Sequence, residues 1–392
     1  MSKRLYFDWN ASAPLRAQAR DAMRAAELLP GNPSSGHAEG RALAAILDGA
    51  RTRLLSELDA PGAIVVWTSG ATEANNLALL GAARQAKGSH PRPLFAAPVT
   101  EHEAVLNTLS QIEREGGEQQ LLPVERDGSI RSDALDTALA REPLVISCML
   151  AQNEAGNMHP VAELARRIAA LRPRPLFHTD ATQAVGKIPV SFRALGVDMM
   201  SISAHKFGGP RGVGALLLRK GLRLQPLQFG GGQEQGYRAG TENVVGIAGL
   251  IAALEAAHAG MGEAVPRLQQ IGAALREGLR RLAQDVCFLT PEFGALPNTL
   301  ALSIPGVDGR SLVVALDLAE VACSVGSACS SGATLPSRIA KAMGYGDEIA
   351  KGVLRLSWGD ATTEADLKEL LDRLRQVLAR LRRSTDSEPR RT

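Results

Sequence analysis

An apolar run ends in Ser201-Ile202-Ser203-Ala204-His205-Lys206, directly before Phe207 and the glycine pair Gly208-Gly209. A lysine at the mouth of a buried strand is partly withdrawn from water, which disfavours its ammonium form and leaves an amine able to condense with an aldehyde. The same placement also suits a lysine that merely ends the strand and reaches solvent along its aliphatic stem. A second run, Phe177-His178-Thr179-Asp180-Ala181-Thr182-Gln183, puts a carboxylate at the end of another strand. It could keep a pyridinium nitrogen protonated, or it could cap the helix that follows. A third stretch, Trp67-Thr68-Ser69-Gly70-Ala71-Thr72-Glu73, opens a helix after a strand. Its free N–H groups, the positive end of the helix dipole and the Thr72 hydroxyl would suit a phosphate, although the same residues make a good N-terminus with no ligand. An amine for an aldehyde, a carboxylate for a ring nitrogen and a cradle for a phosphate match three ends of pyridoxal 5'-phosphate, PLP.

Two further residues bear on substrate and reaction. Arg355 interrupts the apolar run Val353-Leu354-Arg355-Leu356-Ser357. A buried guanidinium needs a partner, and either a substrate α-carboxylate or an internal Asp or Glu satisfies its fork. Cys329 sits among small polar residues from Ser324 to Ala333, where a thiol is expected to be mobile and exposed. Cys148, inside an apolar run, reads instead as a buried structural thiol. Cys323 reads as buried at a strand end, with protection or resolution of an oxidised Cys329 as the alternative.

The elements that must position these residues follow from periodicity. Between Leu54 and Leu218, short β-branched and apolar runs alternate with helical patterns, the signature of βαβ units around a mostly parallel sheet. The predicted strands are Ile64–Thr68, Leu94–Pro98, Leu144–Leu150, Pro175–Thr179, Asp198–Ser203 and Gly214–Arg219, and such sheets bind ligands at the carboxyl ends of their strands. After the Gly-rich stretch Gly230–Gly240 comes one long helical region, Asn243 to about Gln284, then short strands near Asn298–Ile304 and Val353–Ser357. A last helix is predicted from Thr363, where Thr363-x-x-Asp366 resembles a capping box, with Leu367, Leu370, Leu371, Leu374 and Leu378 on its apolar face. Beyond Leu381 the charged residues to Thr392 read as a frayed tail.

Composition narrows the function class. The chain has 392 residues, 45% hydrophobic and 22% charged, as in a soluble enzyme of two units. A net charge of +3 gives no surface for nucleic acid. There is neither a signal-peptide core nor an apolar stretch of membrane-spanning length, and the four cysteines form no C-x-x-C pair or zinc spacing. The expectation is a cytoplasmic protein with reduced thiols and no metal.

The chain resembles the cysteine desulfurases of the NifS/IscS type, within the fold type I PLP enzymes and the class V aminotransferase family. The matching stretches are Gly31-Asn-Pro-Ser-Ser35, Ser69-Gly-Ala-Thr-Glu73, Thr100-Glu-His102-Glu-Ala-Val105, Asn153-Glu-Ala-Gly156, Asp180-Ala-Thr-Gln183, Ser203-Ala-His-Lys206, Arg238-Ala-Gly-Thr241, Gly326-Ser-Ala-Cys329-Ser-Ser331 and Arg355-Leu-Ser357. They follow the family's order and spacing from Tyr6 almost to the C-terminus. The resemblance implies an α/β fold with a mostly parallel sheet in a large PLP-binding domain, residues 14–255. A smaller α/β domain, residues 1–13 plus 256–383, would carry the cysteine loop, with 384–392 as a disordered tail.

Carried over position by position, the resemblance implies that Lys206 binds PLP as a Schiff base and Asp180 pairs with the ring nitrogen. Gln183 and Asn153 would lie near the phenolic oxygen, and His102 would stack on the ring, where a lone histidine otherwise reads as a satisfied loop residue. Ala71, Thr72, Ser203 and His205 would hold the phosphate, joined by Thr241 from the second subunit of a homodimer. Arg355, with Asn32 and Asn153 nearby, would bind the substrate carboxylate. Lys206 would then remove the Cα proton of L-cysteine. Cys329 as thiolate would take the sulfur as a persulfide, with His102 moving protons, and L-alanine would leave.

The implied acceptor is a protein such as an iron–sulfur scaffold, with a transient cluster at Cys329, or a tRNA-thiolation protein. Three alternatives stand beside this reading: a selenocysteine lyase, an aminotransferase of the same fold, which needs no thiol, and a non-catalytic sulfur-relay protein, which would lack a catalytic residue. A nicotinamide dehydrogenase is disfavoured by the absence of its glycine fingerprint. The opening Tyr6-Phe-Asp8-Trp9-Asn10-Ala-Ser12-Ala-Pro14 departs from the family at Trp9 and Ser12, which is expected to affect only substrate contacts near the entrance. Against the family pattern, the C-terminus is expected to lack the extended tail by which some relatives dock their scaffold.

Overall fold

The computed structural model describes residues 3–326 and 336–386. Twelve strands lie among them: β1 Leu5–Tyr6, β2 Ile64–Thr68, β3 Leu94–Pro98, β4 Glu118–Leu122, β5 Val145–Ser147, β6 Leu176–Asp180, β7 Met199–Ser203, β8 Gly214–Leu218, β9 Cys287–Phe288, β10 Thr299–Ser303, β11 Val321–Ala322 and β12 Val353–Ser357. Seven form the main sheet, in the order β2-β8-β7-β6-β5-β3-β4. Strand β8 runs antiparallel to β2 and β7, and the other neighbours are parallel. Both faces are covered, so β3, β7 and β8 are buried along their whole length and carry continuous apolar runs rather than alternation. Because β6 and β7 are parallel neighbours with Asp180 opposite Ser201, their carboxyl ends deliver Asp180 and the segment through Lys206 to one place.

The predicted helical region after Asn243 is two helices, Val244–Ala259 and Met261–Leu282, bent by 72° at the intervening Gly260. The first is buried on nearly every side, beside helices Ala17–Glu27 and Ala38–Glu57; the second buries one stripe, Leu268, Ile271, Leu275 and Leu279. Among the described residues no single helix is long and apolar enough to cross a membrane.

A second core forms where β10 pairs with β9 and β12 on either side, both antiparallel. Leu275, Leu302, Leu316, Leu354, Leu356, Trp358, Leu370 and Leu374 pack there together with Leu5 and Phe7 from the opposite end of the chain. The expected capping box is present: Asp366 N–H donates to Thr363 Oγ1 (3.2 Å) and Thr363 N–H to Asp366 Oδ2 (3.0 Å). Helix Glu364–Asp386 buries Leu367, Leu370, Leu374 and Leu378, as its periodicity predicts, but continues past Leu381. Strand β4 was not foreseen, and β5 is shorter than expected.

Candidate active site

A cavity of about 520 Å³ opens at the carboxyl ends of β6 and β7, within the range of small-molecule sites. Lys206 closes a single 3-10 turn, Ala204–Lys206, after β7, and its Nζ donates to the carbonyls of Asn10 (2.8 Å) and Ala11 (2.9 Å). The amine is thus held at the cavity wall rather than carried out to water. Asp180, also in the wall, is only 5% exposed. Its Oδ1 accepts from Thr182 N–H (2.9 Å) and its Oδ2 from Asn75 Nδ2 (2.6 Å). One carboxylate thus caps a turn, where the sequence reading placed the start of a helix, and faces the cavity.

Helix Ala71–Gln85 opens with no side-chain cap, and Ala71 and Thr72 line the cavity. The preceding Gly70 has φ +151°, a conformation that favours glycine, and lies beside the Ser203 hydroxyl. His205 Nδ1 is 3.3 Å from Ser12 Oγ. Burial, with Lys206, Arg211 and Lys187 as cationic neighbours, pushes the His205 imidazole down to about 4. This end of the cavity therefore combines an uncapped helix N-terminus with a hydroxyl and a neutral imidazole, donors suited to a phosphate.

His102 N-caps helix Glu103–Arg114: its Nδ1 accepts from Ala104 N–H (3.0 Å), so the neutral ring carries its proton on Nε2. Gln183 Nε2 donates to the Asn10 carbonyl (3.0 Å). The Asn153 carbonyl accepts from Asn10 Nδ2 (3.2 Å) and Arg355 Nη1 (3.1 Å). His102, Gln183, Asn153 and Arg355 all line the cavity.

Arg355 has the internal partner weighed from the sequence: its Nη2 donates to Asp8 Oδ1 at 2.7 Å, while its buried Nε has none among the described residues. Glu154 lies in the same wall, and burial pushes its carboxyl up to about 7 despite the opposing charges of Arg355 and Arg338.

Two of the expected residues stand apart. Asn32 accepts from Ser34 N–H through its Oδ1 (2.9 Å), and Thr241 is exposed; neither lines the cavity. Cys329 lies outside the described residues. Of the described cysteines, Cys148 is fully buried with its thiol pushed well up, and burial raises Cys323 to about 12, so neither is poised as a thiolate.

Sequence reasoning passed over the polar residues behind the cavity wall. Asn75 is fully buried and its Oδ1 has no hydrogen-bond partner among the described residues. Its place four residues after Ala71, on the same helical face, was the available signal. Asn10, to which the sequence reading gave no role, is 1% exposed and central: its carbonyl receives Lys206 and Gln183, and its side chain meets Thr299, Asn153 and Lys187. Of the two departures beside it, Ser12 lines the cavity and Trp9 does not.

The arrangement fits PLP: Lys206 for the aldehyde, Asp180 for the ring nitrogen, and the uncapped helix with Ser203 and His205 for the phosphate. Residues 5–370 match the family model described as aminotransferase class-V. Similar curated proteins include a cysteine desulfurase IscS of Dictyoglomus turgidum, 40% identical over 97% of this chain and 96% of its own length, and a cysteine desulfurase of Cereibacter sphaeroides, 40% identical over 97% of each. Among solved structures, a NifS-like protein superposes with a TM-score of 0.90 at 32% identity, covering 96% of this chain and 100% of the other. A structure described as SspA in complex with cysteine gives a TM-score of 0.79 at 27% identity over 92% and 100%. From geometry and likeness together, the chain belongs to the class-V aminotransferase family, among its PLP-dependent cysteine desulfurases of the NifS/IscS type.

Proposed function

We infer that this chain is a PLP-dependent cysteine desulfurase that converts L-cysteine to L-alanine and takes the sulfur onto Cys329. The observation that carries the reading is the convergence of Lys206 and Asp180, from two adjacent strand ends, on one cavity that also holds Arg355. PLP, when bound, supplies an electron sink that acidifies the substrate Cα–H and makes sulfur departure possible. Lys206 would hold the cofactor through its amine and, when that amine is free, would take the substrate Cα proton. Asp180, oriented by Asn75, keeps the ring nitrogen protonated; Gln183 and Asn153 serve the ring oxygen. Ala71, Thr72, Ser203 and His205 hold the phosphate.

Arg355 binds the substrate carboxylate, with Asn32 and Asn153 nearby. Its pairing with Asp8 supports this role, because a single carboxylate leaves Nε, buried and without a partner among the described residues, still to be satisfied. The Cys329 thiolate attacks the substrate sulfur: an S–S bond forms, the C–S bond breaks with its electron pair left on carbon, and protons, moved by His102, complete alanine. A protein thiol then takes the terminal sulfur, the acceptor being an iron–sulfur scaffold or a tRNA-thiolation protein. The enzyme works in the cytoplasm as a homodimer in which Thr241 completes the phosphate site of the other subunit. Exposure of Thr241 and of Phe229, 78% exposed, which flank the Gly-rich stretch at its two ends, supports a covered surface there.

The test is the visible spectrum of the purified protein with sulfide and alanine measured after L-cysteine is added. Lys206→Ala should lose the absorption of bound PLP and all activity. Cys329→Ala should keep the absorption and lose sulfide release to a reductant by at least about a hundredfold, on the scale of losing a nucleophile. Sulfide release from Cys329→Ala at the wild-type rate would exclude the persulfide route, and faster turnover of selenocysteine than of cysteine would reassign the substrate.

A further inference from the structure

Behind the cavity wall lies a lysine to which the reaction assigns no part. Lys187 is only 7% exposed, on the turn that follows β6, four residues after Gln183. Its amine donates to two side-chain carbonyls, Asn10 Oδ1 at 2.9 Å and Gln183 Oε1 at 2.5 Å. Its charged neighbours are the cations Lys206 and Arg355, and with burial they push its amine well below the usual lysine range. Among the described residues no carboxylate pairs with it, and a buried lysine without such a partner needs another explanation.

The donor inventory supplies it. An ammonium has three donors and a neutral amine two, so in either protonation state Lys187 can fill both carbonyl contacts. Asn10 is oriented independently, because its Nδ2 donates to Thr299 Oγ1 (2.8 Å) and the Asn153 carbonyl (3.2 Å). Gln183 is then constrained from two sides: its Oε1 faces the Lys187 amine, and its Nε2 donates to the Asn10 carbonyl. Rotating this amide by half a turn would set its oxygen against the Asn10 carbonyl and remove the carbonyl to which the Lys187 amine donates. One N–H of Gln183 is used by Asn10, which leaves the other for the cavity that Gln183 lines.

We propose that Lys187 is a positioning residue that sets the polarity of the Gln183 amide, so that Gln183 offers an N–H, and never its carbonyl, to the oxygen on the PLP ring. This rests on the assignment of Gln183 to that oxygen. An ionised ring oxygen accepts a charge-assisted hydrogen bond from an amide N–H and is repelled by an amide carbonyl, so the orientation decides whether Gln183 helps or hinders binding.

The experiment compares PLP with its 3-deoxy analogue, which lacks only the ring oxygen, by calorimetric titration of the full-length protein freed of cofactor. Wild type should bind PLP more tightly than the analogue. Lys187→Met should lose roughly tenfold of that preference, as expected for one hydrogen bond to a charged group, while analogue affinity stays nearly unchanged. Gln183→Met should lose a similar factor, and the double variant no more than either single one. General damage to the pocket would weaken both ligands alike, and that result for Lys187→Met, with the preference still lost in Gln183→Met, would overturn the role of the lysine. An intact preference in Gln183→Met would overturn the assignment of Gln183, and the proposal with it. Should Lys187→Met not fold, Lys187→Gln, polar but one atom shorter and able to turn a carbonyl toward Gln183, carries the same expectation.

Discussion

Glu101 is fully buried within electrostatic reach of Asp180, and burial together with that like charge pushes its carboxyl from an ordinary value near 4.5 up to about 8. The folded protein therefore keeps a proton on Glu101 that the unfolded chain releases above about pH 4.5, so stability falls as pH rises between those two values and levels off above them. Glu101→Gln keeps an oxygen for the Met149 N–H, which donates to Glu101 Oε1, and cannot ionise. Urea unfolding between about pH 5 and pH 8 should show the variant gaining on wild type by up to about 1.4 kcal/mol per pH unit. Parallel curves would mean that Glu101 is already ionised in the native state. The sequence made His102 visible in Thr100–Val105 and left Glu101 unread, although the two are adjacent. Only the family resemblance singled out that histidine. Nothing in the local pattern tells a buried carboxylate from one on a solvated turn, and Lys187 went unread for the same reason.

At the level of elements, the turn that opens helix Ala71–Gln85 depends on a contact between glycines. A Cβ on Gly214, the first residue of β8, would lie 2.5 Å from the Ile202 carbonyl oxygen and 2.8 Å from Gly70 Cα. Gly214→Ala must therefore displace the turn that aims Ala71 and Thr72. Overpacking of this kind costs about 1–3 kcal/mol, read as a lower urea midpoint. It should also weaken PLP more than pyridoxal, which lacks the phosphate; equal losses would place the turn elsewhere. Strands β2, β3 and β12 were legible to the residue, because apolar runs bounded by turn residues carry their own limits. Strand β4 was not: Glu-Gln-Gln-Leu-Leu is a half-buried edge strand, and its polar start neither alternates nor reads as a buried run. The break at Gly260 was hidden because an isolated glycine is tolerated within a helix, and only the packing on either side required a 72° bend.

Across the whole molecule, the first dozen residues tie the second core to Lys206 in the cavity wall. Strand β1 pairs in parallel with β11, and Ser357 N–H in β12 donates to the Phe7 carbonyl (2.8 Å). Leu5 and Phe7 fill the core around Trp358, Asp8 holds Arg355, and Asn10 receives Lys206. One segment thus holds both the Arg355 guanidinium and the Lys206 amine in the cavity wall. Deleting residues 1–12 removes two large apolar side chains worth about 1.5–3 kcal/mol each, so the loss of stability should be roughly 3–6 kcal/mol. PLP should also fail to be retained after dialysis. The double variant Leu5→Ala with Phe7→Ala separates the two effects, since it empties the core but leaves the Asn10 carbonyl in place. It should unfold at lower urea yet keep PLP in its folded fraction, whereas a deletion that still holds PLP as wild type does would show that Lys206 needs no contact from Asn10.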